Sequence, residues 1–154
     1  MAIGKSAIGN LVRSAGIGVA SGYLSQSGTA IVLAVTPPQQ LPARLRSPWV
    51  RRLALASVAG EMVANAHFSF LPSRKVPALL AGRIAFGAAN AALLAVSRDR
   101  QPWVPAAIGG VYAALGASFA SDSRAVLARH VPDPLVGWAE NGLAVGLAAI
   151  ATRT

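Results

Sequence analysis

"WVPAAIGGVYAALGASFAS", residues 103–121, holds no Asp, Glu, Lys or Arg, and its only hydroxyls are those of Tyr112, Ser118 and Ser121. As a helix it rises about 30 Å, the thickness of a bilayer's hydrocarbon core. A soluble helix of that length carries a polar residue at every third or fourth position, because one face meets water. No such stripe appears here, nor in residues 57–70 or 76–96. Outward from this stretch the pattern repeats: residues 14–43 are also free of charge. The chain reads as an all-α, polytopic transmembrane helical bundle, and 154 residues form a single integral membrane domain, 1–154.

Composition agrees. Charged residues make up only 12% of the chain, about half the usual share, and 54% is hydrophobic. A net charge of +9 raises nucleic acid as a partner. However, the basic residues sit in short connections, at Arg44, Arg46, Arg51, Arg52, Arg74, Lys75, Arg98, Arg100, Arg124 and Arg129, and no base-stacking aromatic set accompanies them. Anionic lipid is the partner that pattern favours, and nucleic acid is set aside. Without cysteine there are no disulfides, thiolate nucleophiles or Cys-ligated metals. Two histidines, His67 and His130, lack the carboxylates that a metal site needs and the Ser and Asp partners of a triad. The expectation is therefore no metal, no cofactor and no enzyme. Lys5 and Arg13 are followed by a long uncharged run, not by a short apolar region and a cleavage site, so the N-terminus is expected to be retained.

About five spans follow. The first, 14–35, is interrupted by "SGYLSQSG" (21–28), whose serines offer the backbone alternatives to a straight helix, so it is kinked or broken into half-helices. "TPPQQLP" (36–42) is a connection. Spans two to five cover 48–71, 76–97, 103–120 and 134–152, with "PSRKVP" (72–77) as a turn. Pro37, Pro38, Pro72, Pro102 and Pro134 are expected at or outside span ends. "SDSRAVLARHVPD" (121–133) reads as a short interfacial helix capped by Ser121 or Asp122 and bearing Arg124 and Arg129. Trp49, Trp103 and Trp138 read as interfacial anchors. With the first span crossing once, six basic residues fall on the N-terminal side and seven on the other, so the positive-inside rule leaves the orientation open. Small residues along "LLAGRIAFGAANAALLA" (79–95) and the fourth span predict tight packing and little room for a wide pore. The pairs Gly18 with Gly22 and Gly142 with Gly146 have dimer-motif spacing, but a chain this rich in glycine yields such pairs by chance.

Five polar residues and one arginine fall inside the spans: Glu61, Asn65, Arg83, Asn90, Glu140 and Asn141. A charge at mid-membrane costs roughly 2.5–3.5 kcal/mol even on the lenient insertion scale, so each needs a partner or water. Counted inward from one membrane face, Asn65, Arg83 and Glu140 share a depth of about 9 Å. Arg83 with Glu140 is the expected pair, and the six form one internal cluster. It reads either as a hydrogen-bonded clamp that fixes which helices pair or as an ion or solute site.

"SGYLSQSGTAIVLAV" (21–35), "SPWVRRLALASVAGEMVANA" (47–66), "LPSRKVPALLAGRIAFGAANAA" (71–92) and "VPDPLVGWAENGLAVGLA" (131–148) together resemble a family of small bacterial membrane proteins, the domain of unknown function four-one-two-six. The resemblance covers most of the chain in order, and "PSR" followed by "GRIAFGA" is its most specific part. It implies a compact multi-pass bundle in the bacterial inner (cytoplasmic) membrane with no established activity. Glu61, Arg83 and Glu140 match its pattern. Where that pattern has a glycine and an arginine near the break, this chain reads Gly22, Tyr23, Leu24, and its two aspartates are Asn65 and Asn141 here. Asp to Asn keeps size and hydrogen bonding but removes a titratable charge, so a carboxylate relay is halved while a packing network survives. The expected function is thus a structural or accessory helix-packing subunit with other membrane subunits as partners. A small ion- or proton-coupled transporter using Glu61 and Glu140 is the runner-up.

Overall fold

The structure, a computed structural model, describes residues 2–67 and 75–153, with side chains from Ala7 onward. Six α-helices account for most of these residues: α1 (Ala2–Tyr23), α2 (Ser27–Val35), α3 (Pro48–His67), α4 (Pro77–Val96), α5 (Trp103–Leu127) and α6 (Asp133–Arg153). Two single 3-10 turns, Pro38–Gln40 and Ala43–Leu45, fill the α2–α3 connection, and no strand occurs among the described residues. Prolines set the starts: Pro48 and Pro77 open α3 and α4, Pro102 precedes α5, and Pro134 is the second residue of α6. At those positions the missing N–H has no intrahelical acceptor to lose. Pro72 and the "PSR" part of the turn lie outside the described residues.

Among the described residues, three helices are long and apolar enough to cross a membrane: α4, α5 and α6. That is fewer than the five expected. The helix α3 has the length of α4 but carries Arg51, Arg52 and Glu61, while α1 carries Lys5 and Arg13. A second correction concerns 121–133. With no glycine or proline before Pro132, α5 runs unbroken to Leu127, so Ser121 and Asp122 cap nothing and Arg124 belongs to α5.

The interruption in the first span is a full break at residues 24–26. It does not continue in one direction, and its consequence for topology is large. The ring of His67 meets that of Trp138 edge-on at 5.9 Å, and Asn65 bonds Asn141, so the end of α3 faces the start of α6. At the other end of α6, Ala151 packs against Gly16 of α1, and Thr152 accepts from Arg98 just beyond α4. Hence α3 starts on the side where α1 starts. The last carbonyls of α2, on Leu33 and Ala34, accept from Arg51 in the first turn of α3. Therefore α2 runs back along α1, and the two form a helical hairpin, not one kinked span.

Packing is by small residues. Ala20, Ala91, Ala113, Ala117, Ala120, Ala144 and Ala148 are buried at the helix contacts, while Trp49, Trp103, Phe119, Val12 and Ile150 are more than 60% exposed. Gly18 and Gly22 lie on the backbone of α5: a Cβ on Gly22 meets Ala113 O at 2.5 Å and Ala117 N at 2.6 Å. Gly87 and Gly109 bring α4 and α5 together in the same way, whereas Gly142 and Gly146 face open space. Of two pairs with identical spacing, only one packs inside the chain.

Candidate functional site

The six intramembrane polar residues form two groups, each built around helix ends. The first surrounds the α1–α2 break. Breaking a helix leaves carbonyls without donors at the end of α1 and amides without acceptors at the start of α2, with partial negative and positive charge respectively. Glu61, two-thirds along α3, supplies the acceptors: its carboxylate takes the amides of Ser25 at 2.8 Å and Gln26 at 2.9 Å. Arg83, in the second turn of α4, supplies the donor through its Nη1 to Gly22 O at 2.9 Å. Its Nη2 stands 3.8 Å from Glu61 Oε1, so the two charges also neutralise one another.

Asn90 closes the break from the other side. Its Nδ2 donates to Ser21 Oγ (2.9 Å) and Ser25 O (3.2 Å), and its Oδ1 accepts from the Thr29 hydroxyl. One amide thus ties the end of α1 to the start of α2. Gly28 permits the approach, since a Cβ there collides with the Asn90 side chain. Positions 83, 87 and 90 of α4 do share an inward face, as the helical spacing indicated.

The far end of α2 follows the same rule. Arg51 Nε and Nη2 donate to Leu33 O and Ala34 O, both at 2.8 Å. So α3 holds a cation at the negative end of α2 and an anion at its positive end. Ten residues of α3 rise about 15 Å, matching the nine residues of α2 between them.

The second group joins α3, α5 and α6. Arg124 uses five N–H donors: Nε and Nη2 grip Asp133 at 2.8 and 2.7 Å, Nη1 reaches Asn65 Oδ1 at 3.1 Å and Glu140 Oε2 at 3.2 Å, and Nη2 reaches Asn65 O at 2.9 Å. A guanidinium has five N–H groups, so none is left unmade. Asn65 Nδ2 then donates to Asn141 Oδ1, and Asn141 Nδ2 to Met62 O, both at 2.9 Å. Glu140 is 6% and Asn141 0% exposed.

The expected Arg83–Glu140 pair is thereby corrected. Arg83 pairs with Glu61, and Glu140 with Arg124. Arg83 meets α3 at Glu61, one turn away from Asn65, where Arg124 and Glu140 meet, and the neighbours differ as well: α4 packs on α5, α1 and α2, while α6 packs on α1, α3 and α2. The single expected cluster is two, linked through Met62 beside Glu61. Arg124 and Asp133 were missed because both were placed at the interface. The available signal was the helix N-terminal position of Asp133, where a carboxylate attracts a cation. Ser21 and Ser25 lie in the stretch read as a break and Thr29 directly after it, and their hydroxyls and carbonyl are what Asn90 ties. No protein-family model, no curated protein and no solved structure matches the chain.

Proposed function

We propose that this chain is a non-enzymatic, multi-pass protein of the bacterial cytoplasmic membrane, in which the intramembrane charges hold a re-entrant helical hairpin in a structural, accessory subunit of a larger membrane assembly. In this reading α3, α4, α5 and α6 cross the bilayer, while α1 enters it to about the middle of α5 and α2 returns to the side where α1 starts. The observation that carries the structural role is the use of Glu61, Arg83 and Arg51 at the ends of α2 and α1. In transporters built on broken helices, half-helix ends are left for the substrate and coupling ions. Here side chains of the protein occupy those ends. Support for a partner comes from α3, whose outward face carries Ala56, Ser57, Ala59 and Gly60, all exposed. Small residues facing lipid gain little there, but they let a second helix approach closely.

The hairpin also bears on orientation. With α2 returning, and among the residues with described side chains that lie toward the helix ends, Arg13, Arg44, Arg46, Arg51, Arg52, Arg98, Arg100 and Arg153 fall on the N-terminal side, against Lys75, Arg124 and Arg129 on the other. Eight against three, by the positive-inside rule, puts both termini in the cytoplasm.

The second reading, ion- or proton-coupled transport, is favoured by one observation: Glu61 and Glu140 are carboxylates inside the bundle. Purification in mild detergent with mass spectrometry of co-purifying chains separates the two. A stoichiometric set of membrane subunits supports the accessory role. A lone particle whose proton- or cation-dependent uptake in liposomes is abolished by Glu61→Gln overturns it.

A further inference from the structure

Away from both polar groups, on the side where α1 and α5 begin and α4 ends, a cavity of about 470 Å³ opens between these helices. Its apolar wall is formed by Leu11, Leu94 and Val104, and its rim carries Arg13, Arg98 and Arg100. One carboxylate, Asp99, stands among them, leaving two positive charges in excess. The ion pairs among the described residues, Lys75–Asp122, Arg83–Glu61, Arg124–Asp133 and Arg124–Glu140, include none of these arginines.

Only part of this donor set is used: Arg98 Nη2 donates to Thr152 O, and the unmade bond is on Arg13. Arg13 Nη1 donates to Asn10 Oδ1 at 3.2 Å, but its buried Nε has no acceptor at all. An unmade buried donor on a charged group costs at least as much as a lost hydrogen bond, so the site favours an incoming acceptor. Burial, and then the nearby charge of Arg13, hold the Arg98 guanidinium below its ordinary pKa, and an anion relieves that repulsion. The loop that presents Arg98 and Arg100 is fixed: Arg100 N bonds Ala95 O, and Asp99 sits at φ 54° in the left-handed region that ends a helix.

We propose that this cavity binds the phosphate of an anionic phospholipid, with Arg13 and Arg98 on the phosphate oxygens and one acyl chain along Leu11, Leu94 and Val104. A free anion needs the arginines but not the apolar wall; a neutral lipid needs the wall but not the charge. Trp103, 77% exposed beside the cavity, marks an interfacial level, and basic pockets between membrane helices on the cytoplasmic side suit anionic head groups. The proposal rests on the membrane reading and adds a ligand to it.

The test is native mass spectrometry of the detergent-purified protein titrated with dioleoyl phosphatidylglycerol, dioleoyl phosphatidylcholine and inorganic phosphate. One phosphatidylglycerol is expected to be retained about tenfold better than phosphatidylcholine, and Arg13→Gln with Arg98→Gln should remove that preference. Arg100→Glu, an exposed loop change that leaves the helix contacts intact, should weaken it as well and serves if the double variant does not fold. Equal retention of both lipids overturns the proposal, as does a preference untouched by these variants. Displacement of phosphatidylglycerol by millimolar inorganic phosphate overturns the lipid and leaves a free-anion site. A protein that stays in solution without detergent refutes the membrane reading itself, whereas head-group-blind binding by a detergent-requiring protein refutes only the site.

Discussion

Replacing Arg124 and Glu140 singly and together measures the second polar group directly. Arg124→Met removes five hydrogen bonds and takes the guanidinium from Glu140, whose side chain is 6% exposed, and from Asp133, whose side chain is 31% exposed. Breaking a buried pair by removing one partner costs about 3–5 kcal/mol; the access of Asp133 to solvent sets the expectation at the lower end, about 3 kcal/mol. Glu140→Gln keeps an acceptor for Nη1 and leaves the Asp133 bonds intact, so about 1 kcal/mol is expected. In the double variant no carboxylate remains at position 140, and the loss should fall short of the sum by about 2 kcal/mol, roughly thirtyfold in the unfolding equilibrium. The assay is reversible unfolding in mixed dodecyl maltoside and dodecyl sulfate micelles. Tryptophan fluorescence is a suitable readout, since Trp138 meets His67 next to this group. As a control, Arg83→Met with Glu140→Gln should be additive within about 0.5 kcal/mol. A coupling for Arg124 no larger than that for Arg83 refutes the assignment of partners.

Further perturbations address the hairpin and the packing. Glu61→Ala leaves the amides of Ser25 and Gln26 without their acceptor and Arg83 without its counter-charge, so a loss of about 2–3 kcal/mol is expected in the same unfolding assay; a change within 0.5 kcal/mol, about the scale of a neutral surface substitution, counts against its capping role. Gly22→Ala drives a methyl into the α5 backbone and should cost about 1–3 kcal/mol, while Gly142→Ala, facing open space inside α6, should be neutral or stabilising by up to about 1 kcal/mol; equal effects refute the packing. Because the chain has no cysteine, single substitutions Ala7→Cys, Gln40→Cys and His130→Cys can be labelled with an impermeant maleimide in intact spheroplasts and in inverted vesicles. Ala7→Cys and Gln40→Cys should react only from the cytoplasmic side and His130→Cys only from the other; labelling of Ala7→Cys and Gln40→Cys from opposite sides shows that α2 does not return.

Local features of the sequence were enough for the starts of α3 to α6 and for the break in the first span, though not for the end of α5. Prolines at 48, 77, 102 and 134, charge-free apolar runs between them, and serines at 21–27 marked where helices start and where the first one breaks, because backbone geometry and the missing proline donor are properties of adjacent residues. Composition alone also pointed to Glu61, Asn65, Arg83, Asn90, Glu140 and Asn141 as residues that must find partners. Which partner each took was not local. Counting residues inward relates Arg83 to Glu140, and only the packing of α4 against α1 and of α5 and α3 against α6 selected Glu61 for Arg83 and Arg124 for Glu140. The direction of α2 was decided in the same way: three residues at 24–26 permit a bend of any size, and the hairpin is set by Glu61 and Arg51, which lie on another helix at the separation of the ends of α2. Gly18 and Gly142 carry the same spacing motif, and a helix surface becomes an interface only when a second helix lies on it.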